Sequence, residues 1–447
     1  MKSILERFGL HRPELRAWAL YDWANSAFWT TIIAAVFPIY FARVAAADLP
    51  PAVATTRFAT ATTLAMVFIA LLSPVLGALA DYAGLKMKML GAFLGLGVAA
   101  TGAMVFLGRG DWELALVLFV LGNVGVTGTL VFYESLLPHV AREDERDMVA
   151  SAGFALGYLG GGLLLALNLL WIQKPELFGI ADATTASRLS FLSVAVWWLG
   201  FSLPLFRNVR EPERRLGAGE SGRENPLRAA FSRLRETFRE LTRYRDAFLM
   251  LAAFLVYNDG ILTIIRMATS YGTEVGLDQS VLISALLITQ VVGIPFAFLF
   301  GWLAKRITAK RAILLALVVY AGISIVGYRI STASDFYLLA ILVGTVQGGA
   351  QALSRSLFST LIPAHKSAEF FAFFGVFDKF AGIFGPALFA ITIAATGSSR
   401  NAVLSVIAFF VVGAILLSFV NVEKGRRVAR EAEASLALPA SRSRSPM

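Results

Sequence analysis

Polar and charged side chains recur at helical spacing inside long apolar runs of this sequence. The first run carries Asp22, Asn25, Ser26 and Trp29 at i, i+3, i+4 and i+7, one face of a helix. Later runs carry Asn123, Thr127 and Glu134; Asp259, Thr263, Arg266 and Ser270; and Gln347, Gln351 and Arg355 with Ser354 alongside. Asp378 and Lys379 stand side by side in another. Groups of this kind are costly inside a bilayer, so they mark solute or ion pathways, proton relays or fixed ion pairs. Covalent catalysis is not indicated. The chain has no cysteine, and its three histidines, His11, His139 and His365, fall outside the apolar runs with no nucleophile–base pair in view. There is no G-x-x-x-x-G-K-[ST] phosphate loop, so direct use of ATP is not expected. Nothing calls for a metal or a cofactor.

The elements that must hold these faces are membrane spans. Of 447 residues, 57% are hydrophobic and 16% charged, against about a quarter charged in soluble domains. Twelve apolar runs are each long enough to cross ~30 Å of hydrocarbon: roughly 17–41, 58–80, 89–108, 114–137, 148–172, 189–206, 247–271, 280–304, 312–329, 336–361, 369–396 and 401–420. The net charge of +10 follows helix parity. With the N-terminus inside, inner segments hold 30 of the 40 Lys and Arg, outer loops hold 7 and spans 3. That bias orients membrane proteins and argues against a nucleic-acid surface. It places both termini in the cytoplasm of a multi-pass protein, expected in a bacterial inner membrane. "MKSILERFGLHRPELR" is charged throughout, unlike a cleaved signal peptide.

The spans divide six and six, and the halves repeat. Gly77 maps to Gly301 at an offset of 224; Ser135–Pro138 maps to Thr360–Pro363, and Gly157 and Gly160 to Gly382 and Gly385, at 225. "YDW" at Tyr21 matches "YND" at Tyr257. The expected organisation is therefore a bundle over 1–206, a cytoplasmic linker over 207–246, a second bundle over 247–422 and a disordered tail over 423–447. Within the linker, Asn225 and Pro226 open a helix whose Leu227, Phe231, Leu234, Phe238 and Leu241 recur at threes and fours. This amphipathic helix is expected to lie on anionic lipid or on the inner face of the protein.

Polar faces fall on spans one, four, seven and ten, while spans three, six, nine and twelve hold no Asp, Glu, Lys or Arg apart from Arg329 at the outer end of span nine. That pattern predicts a central cavity between the halves, with the second set of spans facing lipid. Asp22, Glu134, Arg355, Asp378 and Lys379 fall toward the inner side as a candidate gate, Asp22 meeting Arg355 or Lys379. Asp259 lies about 13 residues into its span, roughly 20 Å deep, and is the candidate for cation coupling. Arg355 or Arg266 can hold a substrate carboxylate. In "GALADYAGLKMK", Gly77 permits close helix approach and Gly84 a sharp turn; Asp81 caps or faces a helix N-terminus, and Lys86 and Lys88 stay in the basic layer.

That glycine–aspartate loop resembles the second-to-third-helix motif of the major facilitator superfamily. "LYDWANSAF", "VYNDGILTII" and "QGGAQALSRSLFSTLIPAHKSAEFFAFF" are similar to its branch named for fungal autophagy-related vacuolar amino-acid effluxers, whose bacterial members are called unknown major facilitator permeases. The resemblance implies the all-α fold of two six-helix bundles, alternating access and amino-acid export. The second-half loop departs from the motif, with Lys305 where an aspartate would stand. The expected protein is a monomeric secondary transporter, with a small-molecule substrate, membrane lipid and a coupling ion such as the proton as its partners. A membrane scaffold or sensor that keeps the fold without flux is the alternative.

Overall fold

The computed structural model describes residues 4–214, 224–239 and 243–437. Among the described residues, twelve helical segments are long and apolar enough to cross a bilayer: Pro13–Ala45, Thr56–Ala83, Lys86–Phe106, Trp112–Val140, Arg146–Gln173, Ala183–Asn208, Arg245–Ile265, Ser284–Ile307, Ala309–Tyr328, Ala333–Thr360, Ala364–Thr396 and Ser399–Ser418. They are numbered here as spans 1 to 12. The protein is an all-α membrane protein of two six-span halves.

Each half has its own apolar core. In the first, Phe37 of span 1 stacks on Phe119 of span 4 with ring centroids 4.7 Å apart; in the second, Tyr320 of span 9 stacks on Phe410 of span 12 at 5.1 Å. Spans 6, 9 and 12 turn large apolar residues outward, among them Leu192, Val196 and Leu199; Leu315 and Val318; and Val411 and Ile415. That is the composition of lipid-facing surface, and it follows from the lack of charge in their central turns, their few Lys and Arg standing at the ends.

Two spans are irregular. Span 1 winds as π-helix over Phe28–Ala35 and Phe41–Ala45, on either side of Pro38, which has no N–H to give the helix ladder. Span 11, expected to be continuous, breaks into Ser367–Phe380 and Phe384–Thr396 around Gly382, whose φ of 89° belongs to the left-handed region.

The polar segments add detail to one expectation and correct another. The linker helix forms over Pro226–Arg239, and the Leu227 N–H donates to the Asn225 side chain as a cap should. Its buried face, however, is Ala229, Ala230, Arg233, Leu234 and Thr237, while Leu227 and Phe231 are exposed. The small alanines let the helix close on span 2, and Arg233 stacks against the Tyr82 ring at 5.5 Å. The Phe238 side chain and Leu241 lie outside the described residues. The tail, expected to be disordered, is helical over Val422–Ala437. Its charges misled the reading: Ala429 and Ala432 are buried, the Ala364 N–H donates to Glu433 at 2.6 Å, and Arg426 and Arg430 pair with Glu143.

Candidate functional site

The densest polar contacts between the halves lie at the end of the bundle that carries both termini. Arg355 of span 10 reaches Asp22 of span 1 at 2.9 Å and Glu134 of span 4 at 3.9 Å. Its guanidinium is enclosed by the rings of Trp18, Tyr133 and Phe154, with centroids at 4.7, 5.6 and 4.8 Å. Trp18 is fixed in turn by donating its indole N–H to the Tyr133 carbonyl at 3.0 Å. A buried guanidinium is tolerable in this place because two carboxylates balance its charge and three π faces replace part of its hydration. Arg355 is only 3% exposed, so a substrate carboxylate would have to displace an existing partner. Of the gate expected from the sequence, Asp22, Glu134 and Arg355 come together; Asp378 and Lys379 lie within electrostatic range of Glu134 but pair with each other.

The same end is closed by further bonds from half to half. Arg146 donates to the Ser359 carbonyl at 2.8 Å, and the Ser356 hydroxyl donates to Asp147 at 2.6 Å. The glycine–aspartate loop supplies the rest. Gly84 ends span 2 at a φ of 64°, and a Cβ on Gly77 would stand 2.4 Å from the Ala368 carbonyl oxygen of span 11. The Asp81 carboxylate accepts the Glu369 N–H at 2.8 Å, in the first turn of Ser367–Phe380, and pairs with Lys86 at 2.8 Å. A negative charge there meets the positive end of the helix dipole. Lys88 is exposed, whereas Lys86 is buried and donates to the Ser367 hydroxyl at 2.7 Å. The tail helix adds a strap from the second half to Glu143 between spans 4 and 5. Partial burial raises the Glu143 carboxyl pKa, but the Arg430 hydrogen bond and the charges of Arg426, Arg430 and Arg146 outweigh it and hold the group below its usual range.

Asp259 departs most from expectation. It is fully buried, and its two oxygens accept the N–H groups of Phe384 (3.0 Å) and Gly385 (2.7 Å). These are orphan donors at the start of the second piece of span 11, so the carboxylate caps the broken helix instead of facing an open cavity. Thr263 bonds back to the Asp259 carbonyl, and Asn25 and Asn123 likewise bond to carbonyls one turn back, at Tyr21 and Phe119. Asn25, Asn123 and Thr127 are buried, while Ser26, Gln347 and Gln351 are half-buried. The side chain of Arg266 lies outside the described residues.

Sequence reasoning assigned Asp378 and Lys379 to the inner gate, and the structure holds them as a separate pair farther along span 11. Asp378 lies eleven residues after Ser367, roughly 17 Å along the axis. It accepts from Asn258 of span 7 at 3.0 Å and sits 3.6 Å from Lys379, whose ammonium lies 4.9 Å from the Trp29 ring centre of span 1. The Asp378 side chain is 37% exposed and that of Lys379 14%, so this pair is more accessible than the Asp22–Arg355 pair. The available signal was Trp29, placed on the polar face of span 1 at a depth that matches Lys379. Nearer the far end, a pocket with ≈ 660 Å³ of unfilled space is lined by Tyr158, Ile264, Gln290, Phe336 and Gln347 among others. Polar contacts at that end include several within a half: Tyr40 donates to the Leu107 carbonyl at 2.6 Å, Arg109 pairs with Asp48, and Tyr271 donates to the Gly327 carbonyl.

Residues 49–430 match the family described as "Vacuole effluxer Atg22 like". The chain is 37% identical over 425 residues to an uncharacterized MFS-type transporter, YxiO, of Bacillus subtilis (strain 168), covering 93% of this chain and 96% of that one. It is 27% identical to autophagy-related protein 22-1 of Aspergillus niger over 62% of this chain, and spans about half (48%) of that longer protein. Among solved structures, its fold is similar to the Escherichia coli fucose:proton symporter FucP (TM-score 0.65, 14% identity, 92% of this chain and 98% of that one). It is also similar to the proton:xylose symporter XylE of the major facilitator superfamily (0.64, 15%, 97% and 99%).

Proposed function

The chain belongs to the vacuole effluxer Atg22-like family of major facilitator transporters, and from that premise we propose that it exports a small polar solute, an amino acid, across a bacterial inner membrane. Transport proceeds by alternating access, with the end that carries the termini facing the cytoplasm. The observation that carries this reading is the Asp378–Lys379 pair at mid-depth, held between Asn258 of one half and Trp29 of the other. A carboxylate and an ammonium a few ångströms apart match the two charges of a zwitterion, each partner replacing hydration lost on entry. The pocket lined by Tyr158, Gln290 and Gln347 offers mainly apolar walls for a side chain.

In this reading the conformation is closed to the cytoplasm. Arg355, Asp22 and Glu134 form the inner gate, and opening it requires the Asp81–Glu369, Asp147–Ser356 and Arg146–Ser359 contacts to part together. Asp259 serves as a helix cap and not as the coupling group, its oxygens being taken up by the Phe384 and Gly385 N–H groups. Glu134 is the carboxylate left near the gate at a longer distance from its cation, and it is the candidate for proton coupling.

Counterflow of labelled amino acids into proteoliposomes tests the reading. Lys379→Gln and Asp378→Asn are each expected to lower counterflow at least tenfold while leaving the unfolding temperature within a few degrees. A saturating substrate at a hundredfold its Kd should add ~2.7 kcal/mol of stability to the parent protein. Undiminished counterflow in both variants would remove the pair from the site. Counterflow of sugars or organic acids, and of no amino acid, would remove the substrate class.

A further inference from the structure

The linker helix Pro226–Arg239 presents three faces, and only one of them is accounted for by the bundle. Ala229, Ala230, Arg233, Leu234 and Thr237 pack inward. Leu227 (55% exposed) and Phe231 (60% exposed) lie one turn apart along an adjoining edge, and the exposed Arg228 and Arg235 follow just beyond it. We propose that this edge docks on anionic phospholipid, with Leu227 and Phe231 entering the headgroup–acyl boundary and Arg228 and Arg235 meeting the phosphates.

Three observations converge on that occupant. First, the rotation of the helix is fixed. Arg233, a residue that would ordinarily face water, is 1% exposed against the Tyr82 ring, so the two large apolar residues cannot roll inward without expelling it. Second, the helix sits at the right level. It packs on span 2 at Tyr82, in the last turn of that span. The lipid-facing side of that span, Leu64, Phe68 and Leu71, begins eleven residues back from Tyr82, roughly 17 Å or half a bilayer core away. An element at that height borders the headgroups. Third, the order of the faces suits a membrane surface: protein, then apolar edge, then the guanidinium groups opposite the protein, then Ser232 and Glu236 on the flank away from the apolar edge, with Glu236 3.9 Å from Lys366. Arginines beside a shallow apolar edge fit anionic headgroups by charge and by geometry.

The chain contains no cysteine, so single-cysteine variants report one position each. An environment-sensitive fluorophore would be attached in turn to Phe231→Cys, Leu227→Cys and Ser232→Cys in the otherwise intact protein. Each would be placed in nanodiscs of phosphatidylcholine alone or mixed with phosphatidylglycerol. Labels at 231 and 227 should shift to the blue and be quenched by doxyl-labelled lipid, more so with phosphatidylglycerol, while the label at 232 stays open to aqueous iodide. R228Q/R235Q should reduce quenching at 231 in the mixed discs to the phosphatidylcholine level. Equal iodide quenching at 231, 227 and 232 in both disc types overturns the proposal. So does protection at 231 that appears only with dimer formation, which assigns the edge to a second copy. Two apolar positions keep the test valid if one variant misfolds.

Discussion

Span 1 against span 5, and span 7 against span 11, occupy the same place in the two halves, yet they handle a carboxylate in opposite ways. The offsets make Asp22 equivalent to Asn258, and Trp23 to Asp259. In the first half, span 5 is an unbroken helix, Arg146–Gln173, and Trp23 lies directly over Gly160, where a Cβ would stand 2.7 Å from the indole. The charge sits one residue earlier, at Asp22, and crosses to Arg355 of the other half. In the second half, span 11 is broken, and the residue over Gly385 is Asp259, whose oxygens take up the freed N–H groups. One aspartate therefore joins the halves and the other repairs a helix within its own half. A carboxylate that must release its partner for the halves to rock apart and one that must never release it are different devices, although the repeat sets them at nearly the same position.

The contrast can be broken from the Arg355 side first. Arg355→Ala leaves Asp22 and Glu134 facing each other without their cation, and should cost about 3–5 kcal/mol by thermal unfolding in detergent. A much smaller loss would mean that the pair is not the fastening between the halves. Next comes Gly385→Ala, whose Cβ would fall 1.7 Å from the Thr263 hydroxyl and 2.6 Å from Asp259. It should cost about 1–3 kcal/mol or more by the same measurement, because the overlap falls on packed and hydrogen-bonded atoms.

Asp259→Asn keeps one acceptor oxygen, so the expected cost is smaller, about 1–2 kcal/mol, with the pH dependence of flux unchanged. Loss of pH-driven flux in that variant, with stability intact, would return Asp259 to the coupling role. The smallest effect belongs to the tail strap. The lowered pKa of Glu143 means that its contribution is present above the ordinary value of 4.5 and disappears as pH falls through the lowered one. Glu143→Gln should thus reduce the hydrogen-exchange protection of Val422–Ala437 at neutral pH, and the difference from the parent protein should vanish in acid. Salt should weaken the contact, since Arg430 is exposed.

The sequence made some of this legible residue by residue. The union of Asp22 with Arg355 could be anticipated because both sit on polar faces at one depth, and charges in hydrocarbon must find each other. Asp81 could be read as a helix cap because its spacing to Gly77 and Gly84 fixed its place at a turn. Asp259 could not be read, because its partners are main-chain N–H groups that exist only where span 11 breaks, and a break has no side-chain signature beyond Gly382. The linker helix was legible as a helix and not in its rotation: Ala229 and Ala230 won the inward face by size, which a count of large apolar residues does not weigh.

By itself, then, the sequence determined the number of spans, their division into halves, the faces that carry charge and the faces that meet lipid. Those follow from local periodicity and from the cost of polar groups in a bilayer, which every residue feels wherever its neighbours lie. The tertiary structure alone decided which carboxylate meets a guanidinium and which a helix end, and which buried charge is closed off while the Asp378–Lys379 pair keeps access. Those outcomes depend on close approach between segments far apart in the chain, and a helical period carries no record of what stands across the gap.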